Sequence, residues 1–399
     1  MTALLIKNGR VVDPANALDA LRDLRARDGT VVEIGEHLDA RTGEATIDAA
    51  GAVVTPGLVD MHVHLREPGF SHKERIETGT EAALRGGFTT VACMPNTDPA
   101  LDDPAILRWL LREVERRGRC RVVPIAAITR GRRGTQPCDF APLAQAGAVA
   151  FSDDGDTVKD EGVLREAARL ANAFAAPFIS HCEPEDATVD RDLSIAGETG
   201  KSWHIAHVTT RRALDSIRAA RARGVRVTCE VTPHHLNCTS ASARELGPAA
   251  RVNPPLRDDA DVAALRAGVR DGAIDAFASD HAPHTDAEKH AAEGAAPGFS
   301  GLEIAVGAYA AALPGLPMTR FVELLATNPA RILGLRAGTL TLGAPADITI
   351  FADRSWVVDP SRFASLGKCT PFAGATLPRK VLATIVGGEL RYRAEDLAA

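Results

Sequence analysis

The 399-residue chain has no CxxC pair, no GxGxxG, no low-complexity segment and no apolar run approaching a membrane span. Seven cysteines, an odd number, are scattered at positions 93, 120, 138, 182, 229, 238 and 369. That usage argues for reduced thiols in a cytoplasmic protein, against both a disulfide framework and a structural zinc knuckle. Without GxGxxG after a first strand, a dinucleotide-binding fold has little support. The apolar stretches fall well short of the ~20 residues that span a bilayer. The opening MTALLIKNGRVVDP lacks a basic segment followed by an apolar core, so no secretory leader is expected. A net charge of −6 gives no case for nucleic acid, and the excess of arginine over lysine reads as compositional bias. The remaining numbers are those of a soluble globular protein, 45% apolar and 25% charged. The length suits one large barrel with additions, or two to three ordinary domains.

Both ends of the chain read as short β-strands. Residues 3–54 carry ALLIKNGRVVD, GTVVEIG and EATIDAAGAVV, and NG and DG fit hairpin turns. Residues 339–393 return to that style with TLTLGAPADITIFA, WVVD and KVLATIVGGELRYR. The two ends are therefore expected to pair into one small β-sandwich domain, 1–54 with 336–399. Between them, 55–335 alternates differently. Apolar runs near 57–63, 87–93, 121–128, 147–151, 177–180, 203–208, 225–231 and 273–278 are separated by helical patterns at 76–86, 104–118, 161–175, 211–223 and 259–271, with a further helix at 320–333. Eight strands alternating with helices predict an α/β chain with a (β/α)8 barrel. An open doubly wound sheet is the runner-up.

Chemistry in such a barrel sits at the C-terminal ends of the strands. The first run ends in LVDMHVHLREPG. Alternate strand side chains share a face, so His62 and His64 point one way, half of a metal site, with Arg66 placed to meet an anion. Later runs end in Asn96, in Asp153 and Asp154, in His181, in His204 and His207, in Glu230, His234 and His235, and in Asp280, His281 and His284. Nine of the twelve histidines fall at these positions, for which a structural protein has no reason. Imidazole and carboxylate together suit zinc or another divalent transition metal. The candidates are too many for one tetrahedral ion, and two metals bridged by a carboxylate and a hydroxide would use them.

HVHLREPG at 62–69, TGTEAALRGGFTTVACMPNT at 78–97, FSDDG at 151–155, HCEP at 181–184, HIAHVTT at 204–210, EVTPHHL at 230–236, NPPLR at 253–257 and SDHAPH at 279–284 occur in this order. The pattern resembles the amidohydrolase superfamily and, within it, the bacterial-type dihydroorotase family; with KCTPFAGATLPRKVLATIVGGEL the resemblance spans essentially the whole chain. It implies that His62, His64 and Asp280 hold one divalent ion, that His181 and His207 hold a second, and that Asp154 bridges them, both ions being zinc. Many relatives carry a carbamylated lysine at the bridge; Asp153-Asp154 without a lysine matches the subgroup with an aspartate bridge. Asp-Gly favours turns, which accounts for one of the pair, and Asp154 is preferred as the bridge. Arg66, Asn96 and His284 would bind the substrate carboxylate, with His64 a contact too. Asn253 and the backbone around Pro297 and Gly298 would meet the pyrimidine ring.

The implied reaction is the reversible cyclisation of N-carbamoyl-L-aspartate to L-dihydroorotate for pyrimidine synthesis, with Asp280 as base and then acid. The resemblance also implies a homo-oligomer, a dimer, with aspartate carbamoyltransferase as a possible partner, and neither nucleic acid nor membrane. One departure stands out: the segment between His181 and His207 is shorter than in the family, leaving DATVDRDLSIAGETG for a short crossover helix. Rival readings are allantoinase, dihydropyrimidinase or hydantoinase, whose substrates lack the ring carboxylate Arg66 and Asn96 would clamp, and a non-catalytic subunit scaffolding aspartate carbamoyltransferase, which would be expected to lose metal ligands. His204 is read as buried or supporting, His234 and His235 as packing, and His37, His72 and His290 as surface residues. Cys182 follows a ligand, but metal-activated water makes a thiol nucleophile unnecessary.

Overall fold

Eight apolar runs become eight parallel strands: Leu58–Val63, Phe88–Cys93, Arg121–Ala126, Ala150–Ser152, Phe178–Ser180, Trp203–Ile205, Val227–Val231 and Ala276–Phe277. The computed structural model describes residues 3–292, 294–395 and 397; the outermost residues of the expected small domain, 1, 2, 398 and 399, lie outside them. Each strand pairs with the next in sequence. The ring closes where Val63 bridges His281, and the His64 N–H donates to the His281 carbonyl at 2.8 Å. Strands covered on both faces read as near-continuous apolar runs, and all six residues of the first and second strands are buried.

Helices lie between the strands as the patterns predict, at Ile76–Arg85, Pro104–Arg117, Glu161–Ala171, Arg211–Ala222 and Asp259–Asp271. Short polar side chains start four of them. Asp103, Asp160, Thr210 and Asp258 each accept an orphan N–H of the first turn. The helix predicted over 320–333 is broken into Met318–Val322, a π turn at Glu323–Thr327 and Asn328–Ile332. Pro329 offers no N–H to an α-helical ladder, and the widened turn precedes it. The shortened segment after the fifth strand forms a full helix, Glu185–Thr199, ending on Gly200 at φ 68°. The buried Lys201 then donates to the carbonyls of Ala171 and Phe174 at 2.7 and 2.8 Å, tying this crossover to the preceding helix.

The chain ends meet in one eight-stranded sheet. It joins Ala3–Asp13, Leu18–Arg27, Thr30–Gly35, Ala45–Asp48 and Val53–Pro56 to Ile348–Ala352, Lys380–Val386 and Glu389–Arg393. Leu4, Ile6, Val11, Leu24, Ile348, Ile350 and Ile385 belong to an apolar cluster separate from the barrel's. Of the two expected hairpin turns, Asp28-Gly29 is one, with φ 46° and 81° between paired strands. Asn8-Gly9 is not. It forms a bulge inside an 11-residue strand, Asn8 sits at φ 62°, and its N–H donates to Asp23 at 2.8 Å. Asp23 supplies the partner that the interrupted ladder does not.

Candidate active site

His62, Asp154, His207 and Asp280 converge at the C-terminal mouth of the barrel. Ligand atoms of His62, His64 and Asp280 lie within 4.8 Å of one another, as do those of His62, Asp154 and His207. Asp154 Oδ1 is 3.3 Å from His62 Nε2, 3.6 Å from His181 Nδ1 and 3.8 Å from His207 Nε2, and its Oδ2 is 3.5 Å from His64 Nε2. The structure thus brings together the six residues expected as ligands. It also separates the two neighbouring aspartates. Asp153 turns away and accepts from the N–H groups of Ile128 and Thr129 at 2.8 and 3.0 Å and from the Thr129 hydroxyl.

The histidine tautomers follow from their outer partners. Glu230 is a buried carboxylate. Burial opposes its ionisation, but His62 and His204 outweigh that and hold it down at about 2. It can only accept, so His62 Nδ1–H donates to it at 2.7 Å, and Nε2 is the nitrogen turned toward the cluster. Asn96 Oδ1 does the same for His64, accepting from Nδ1 at 2.8 Å. His204 meets Glu230 and the Thr228 hydroxyl with its two nitrogens, which leaves it none for a metal. His234 and His235 pack beside Thr232, and His235 Nε2–H donates to the Pro254 carbonyl at 3.0 Å. His37, His72 and His290 are exposed.

Buried polar atoms are almost always paired, yet His62 Nε2 and Asp154 Oδ1 face each other without a hydrogen bond. Burial disfavours a charged His62, but Asp154, Asp280 and Glu230 outweigh it and raise its pKa well above the ordinary value. The cluster is therefore arranged around positive charge, and its nitrogen and oxygen donors fit a divalent transition metal. Glu230 stands near the end of the seventh strand, the place in such a barrel that signals a functional side chain. Outer partners of ligating histidines typically contribute 10–100-fold in metal affinity. Glu230→Gln is expected to weaken metal binding by about that factor, read by competition with a chelator, while the circular dichroism spectrum stays native.

Arg66 is buried, and its Nε–H donates to the Pro283 carbonyl at 3.2 Å. Its Nη2 lies 3.2 Å from His284 Nε2. It makes no ion pair among the described residues. Glu67, its neighbour, pairs with Arg117 at 2.7 Å instead. Burial lowers the guanidinium to about 10, so it stays a cation at neutral pH. Burial and Arg66 together push His284 down to about 3, leaving it neutral. Asn253 Nδ2 donates to His181 Nε2 and Glu183 at 3.1 Å each. The Pro297 carbonyl lies 2.9 Å from His284 Nε2, and the Gly298 N–H donates to Arg251. Burial raises the Cys182 thiol well above its usual pKa, so it offers no thiolate.

Arg66, His207 and Asp280 have φ of 63°, 31° and 48°. Non-glycine residues held there cost about 1–3 kcal/mol each and cluster at active sites. The fold holds three side chains of the site in place against that cost.

A barrel with this mouth defines a metal-dependent hydrolase, and the model of the amidohydrolase family matches residues 53–391. The chain belongs to the amidohydrolase family. Within it the chain is 45% identical to a dihydroorotase of Pelotomaculum thermopropionicum, covering 97% of this chain and 98% of that one. It is 40% identical to a dihydroorotase of Aquifex aeolicus, covering 98% and 100%. The first alignment runs over 419 positions, more than this chain has residues, so that relative carries segments missing here. Among solved structures, an L-hydantoinase (dihydropyrimidinase) from Arthrobacter aurescens superimposes with a TM-score of 0.91 at 25% identity, covering 100% of this chain and 98% of that one.

Proposed function

We propose that this chain is a dihydroorotase, interconverting N-carbamoyl-L-aspartate and L-dihydroorotate with two divalent ions, zinc by their donor set. The full-length likeness to dihydroorotases supports the reaction class. The observation that carries the substrate choice is Arg66, a buried cation without an ion-pair partner among the described residues, at the edge of the ligand cluster. Dihydroorotate has a ring carboxylate to fill that place; hydantoin, allantoin and dihydrouracil do not.

His62, His64 and Asp280 would hold one ion, and His181 and His207 the other, with Asp154 between them. Such ions lower the pKa of water and polarise the scissile carbonyl. The chain's own groups do the rest. Arg66, with Asn96 and His284, clamps the carboxylate and sets the ring against the ligand cluster, which supplies orientation. Asn253 and the 297–298 backbone face the ring. In the hydrolytic direction Asp280 takes the proton of the attacking water on a carboxylate oxygen and returns it to the ring nitrogen as the amide bond breaks. Synthesis runs the same transfers in reverse.

The test is turnover by zinc-loaded protein. L-Dihydroorotate should be hydrolysed at least ~10³-fold faster than hydantoin, allantoin or dihydrouracil, as expected when a site built to pair with a polar group meets an analogue lacking it. Comparable rates on all four would replace this reading with a general cyclic amidase. No helix among the described residues is long and apolar enough to cross a membrane. The reading is completed by a cytoplasmic homodimer, with aspartate carbamoyltransferase as the candidate partner. Light scattering alone and in its presence tests both associations.

A further inference from the structure

Residues 285–292 and 294–300 fold around a lysine. Thr285 caps the helical turn Asp286–Lys289 in a capping box with Glu288, and Glu288 is anchored to Lys73 at 2.8 Å. This places Lys289 inside the protein with no exposed surface. Its ammonium donates to the carbonyls of Ala296 and Gly298 at 2.8 Å each and of Arg251 at 3.3 Å. An ammonium has three donors, and here each has a backbone carbonyl. No carboxylate pairs with it among the described residues, so the charge is held by carbonyl dipoles alone.

These carbonyls come from two separate segments. Ala296 and Gly298 flank Pro297, so the lysine holds the 296–297 and 298–299 peptide planes, one on each side of the Pro297–Gly298 bond. Arg251 lies two residues before Asn253, and its carbonyl also accepts from the Gly298 N–H at 2.9 Å. Gly298 itself sits at φ 119°, where an added Cβ would lie 2.6 Å from the Ala282 carbonyl oxygen. Glycine gives the chain its close approach, and Lys289 draws the two segments together. Removing the ammonium leaves three carbonyls converging on one apolar point, which desolvation penalises.

We infer that Lys289 is a positioning residue for substrate recognition, stapling the segment around Pro297-Gly298 to that carrying Asn253 so that both meet the ring as one rigid wall. The inference rests on the functional reading above, which places the ring at these residues. Lys289 itself bonds none of the candidate metal ligands; Asn253 donates to His181, so metal content is measured beside KM to keep substrate binding and metal binding apart.

The experiment compares the zinc-loaded full chain with Lys289→Met. Displacing a positioning group by about 1 Å can cost ~10²-fold, and loss of binding common to ground and transition states appears in KM. The KM for L-dihydroorotate should rise at least ~10-fold with kcat within ~3-fold and bound zinc unchanged. A merely structural lysine would lower the melting temperature and the active fraction without moving KM, and that result overturns the inference. Should the variant fail to fold, amide exchange in the wild type decides. Ala296 and Gly298 N–H groups exchanging as slowly as those of the adjoining barrel strands support the staple, and exchange at free-loop rates overturns it. Slow exchange in a wild type that does not turn over dihydroorotate leaves the staple standing and defeats the functional reading instead.

Discussion

Asp280→Asn, loaded with zinc, should lose ~10²–10⁴-fold in kcat on L-dihydroorotate, the range that general acid–base catalysis contributes. Asparagine keeps an oxygen for a metal and removes the proton acceptor. Asp280 suits the role by its surroundings. Burial opposes its ionisation, but His62 and the His64 side chain 3.3 Å away outweigh it and hold the carboxyl well below the usual carboxylate range. It enters hydrolysis as a base. Its left-handed backbone is braced by the next residue. His281 Nδ1 accepts from the Gly301 N–H at 3.1 Å and Nε2–H donates to the buried Glu74 at 3.2 Å. Metal analysis separates chemistry from ligation: a large kcat loss with two ions retained assigns the proton transfer to Asp280. The same role sets opposing pH dependences in the window below the usual carboxylate range where this carboxyl titrates, hydrolysis rising with pH as the proton leaves it and synthesis falling. Parallel profiles would remove the single-carboxylate role.

Arg66→Met should show the other signature. Truncating one partner of a buried charge pair costs about 2–5 kcal/mol, roughly 30-fold to several thousand-fold in kcat/KM. The loss is expected mainly in KM, because the carboxylate is held alike in ground and transition states. Zinc content should not change, since Arg66 is not among the grouped metal-ligand residues. Lysine should not restore the function. It lacks the planar fork that meets a carboxylate with two parallel bonds, and the Pro283 carbonyl already holds the Nε–H of that fork in place. An Arg66→Met protein with wild-type KM for dihydroorotate would return the choice of substrate to the hydantoinase-like alternatives.

Much of the architecture was legible because barrel strands buried on both faces read as apolar runs, and because the residue that follows each run is the one the barrel aims at its mouth. His62, His64 and Asp280 needed only that rule. Less legible were the contributions of tertiary partners. Asp153 and Asp154 are chemically identical neighbours, and the Ile128 and Thr129 N–H groups, just past the end of the adjoining strand, decide which one turns inward. Glu230 and His204 sit in one buried pair that no spacing in the sequence announces. Asn8-Gly9 carried a strong hairpin signal, but Asp23 supplied a partner that made it a bulge. In the sequence Lys289 is one charge among TDAEKHAAEG. Its burial depends on carbonyls that converge only after folding. Helices Phe140–Gln145 and Ala305–Ala312 escaped notice too. The first is short, and the second is alanine-rich and apolar on nearly every side, so it shows no polar face to set a period.

The seam between Val63 and His281 gives the enzyme a built-in completeness check. His62 lies on the first barrel strand, His64 just after it and Asp280 just beyond the eighth, so they become neighbours only when the ring shuts. A nascent chain arrested anywhere before position 281 can make several strands and helices but cannot assemble this three-residue pocket. Metal capture by that pocket, as proposed, would then be a late event in biogenesis, one that rewards the longest-range strand pairing of the ring and draws the folding equilibrium toward the closed form.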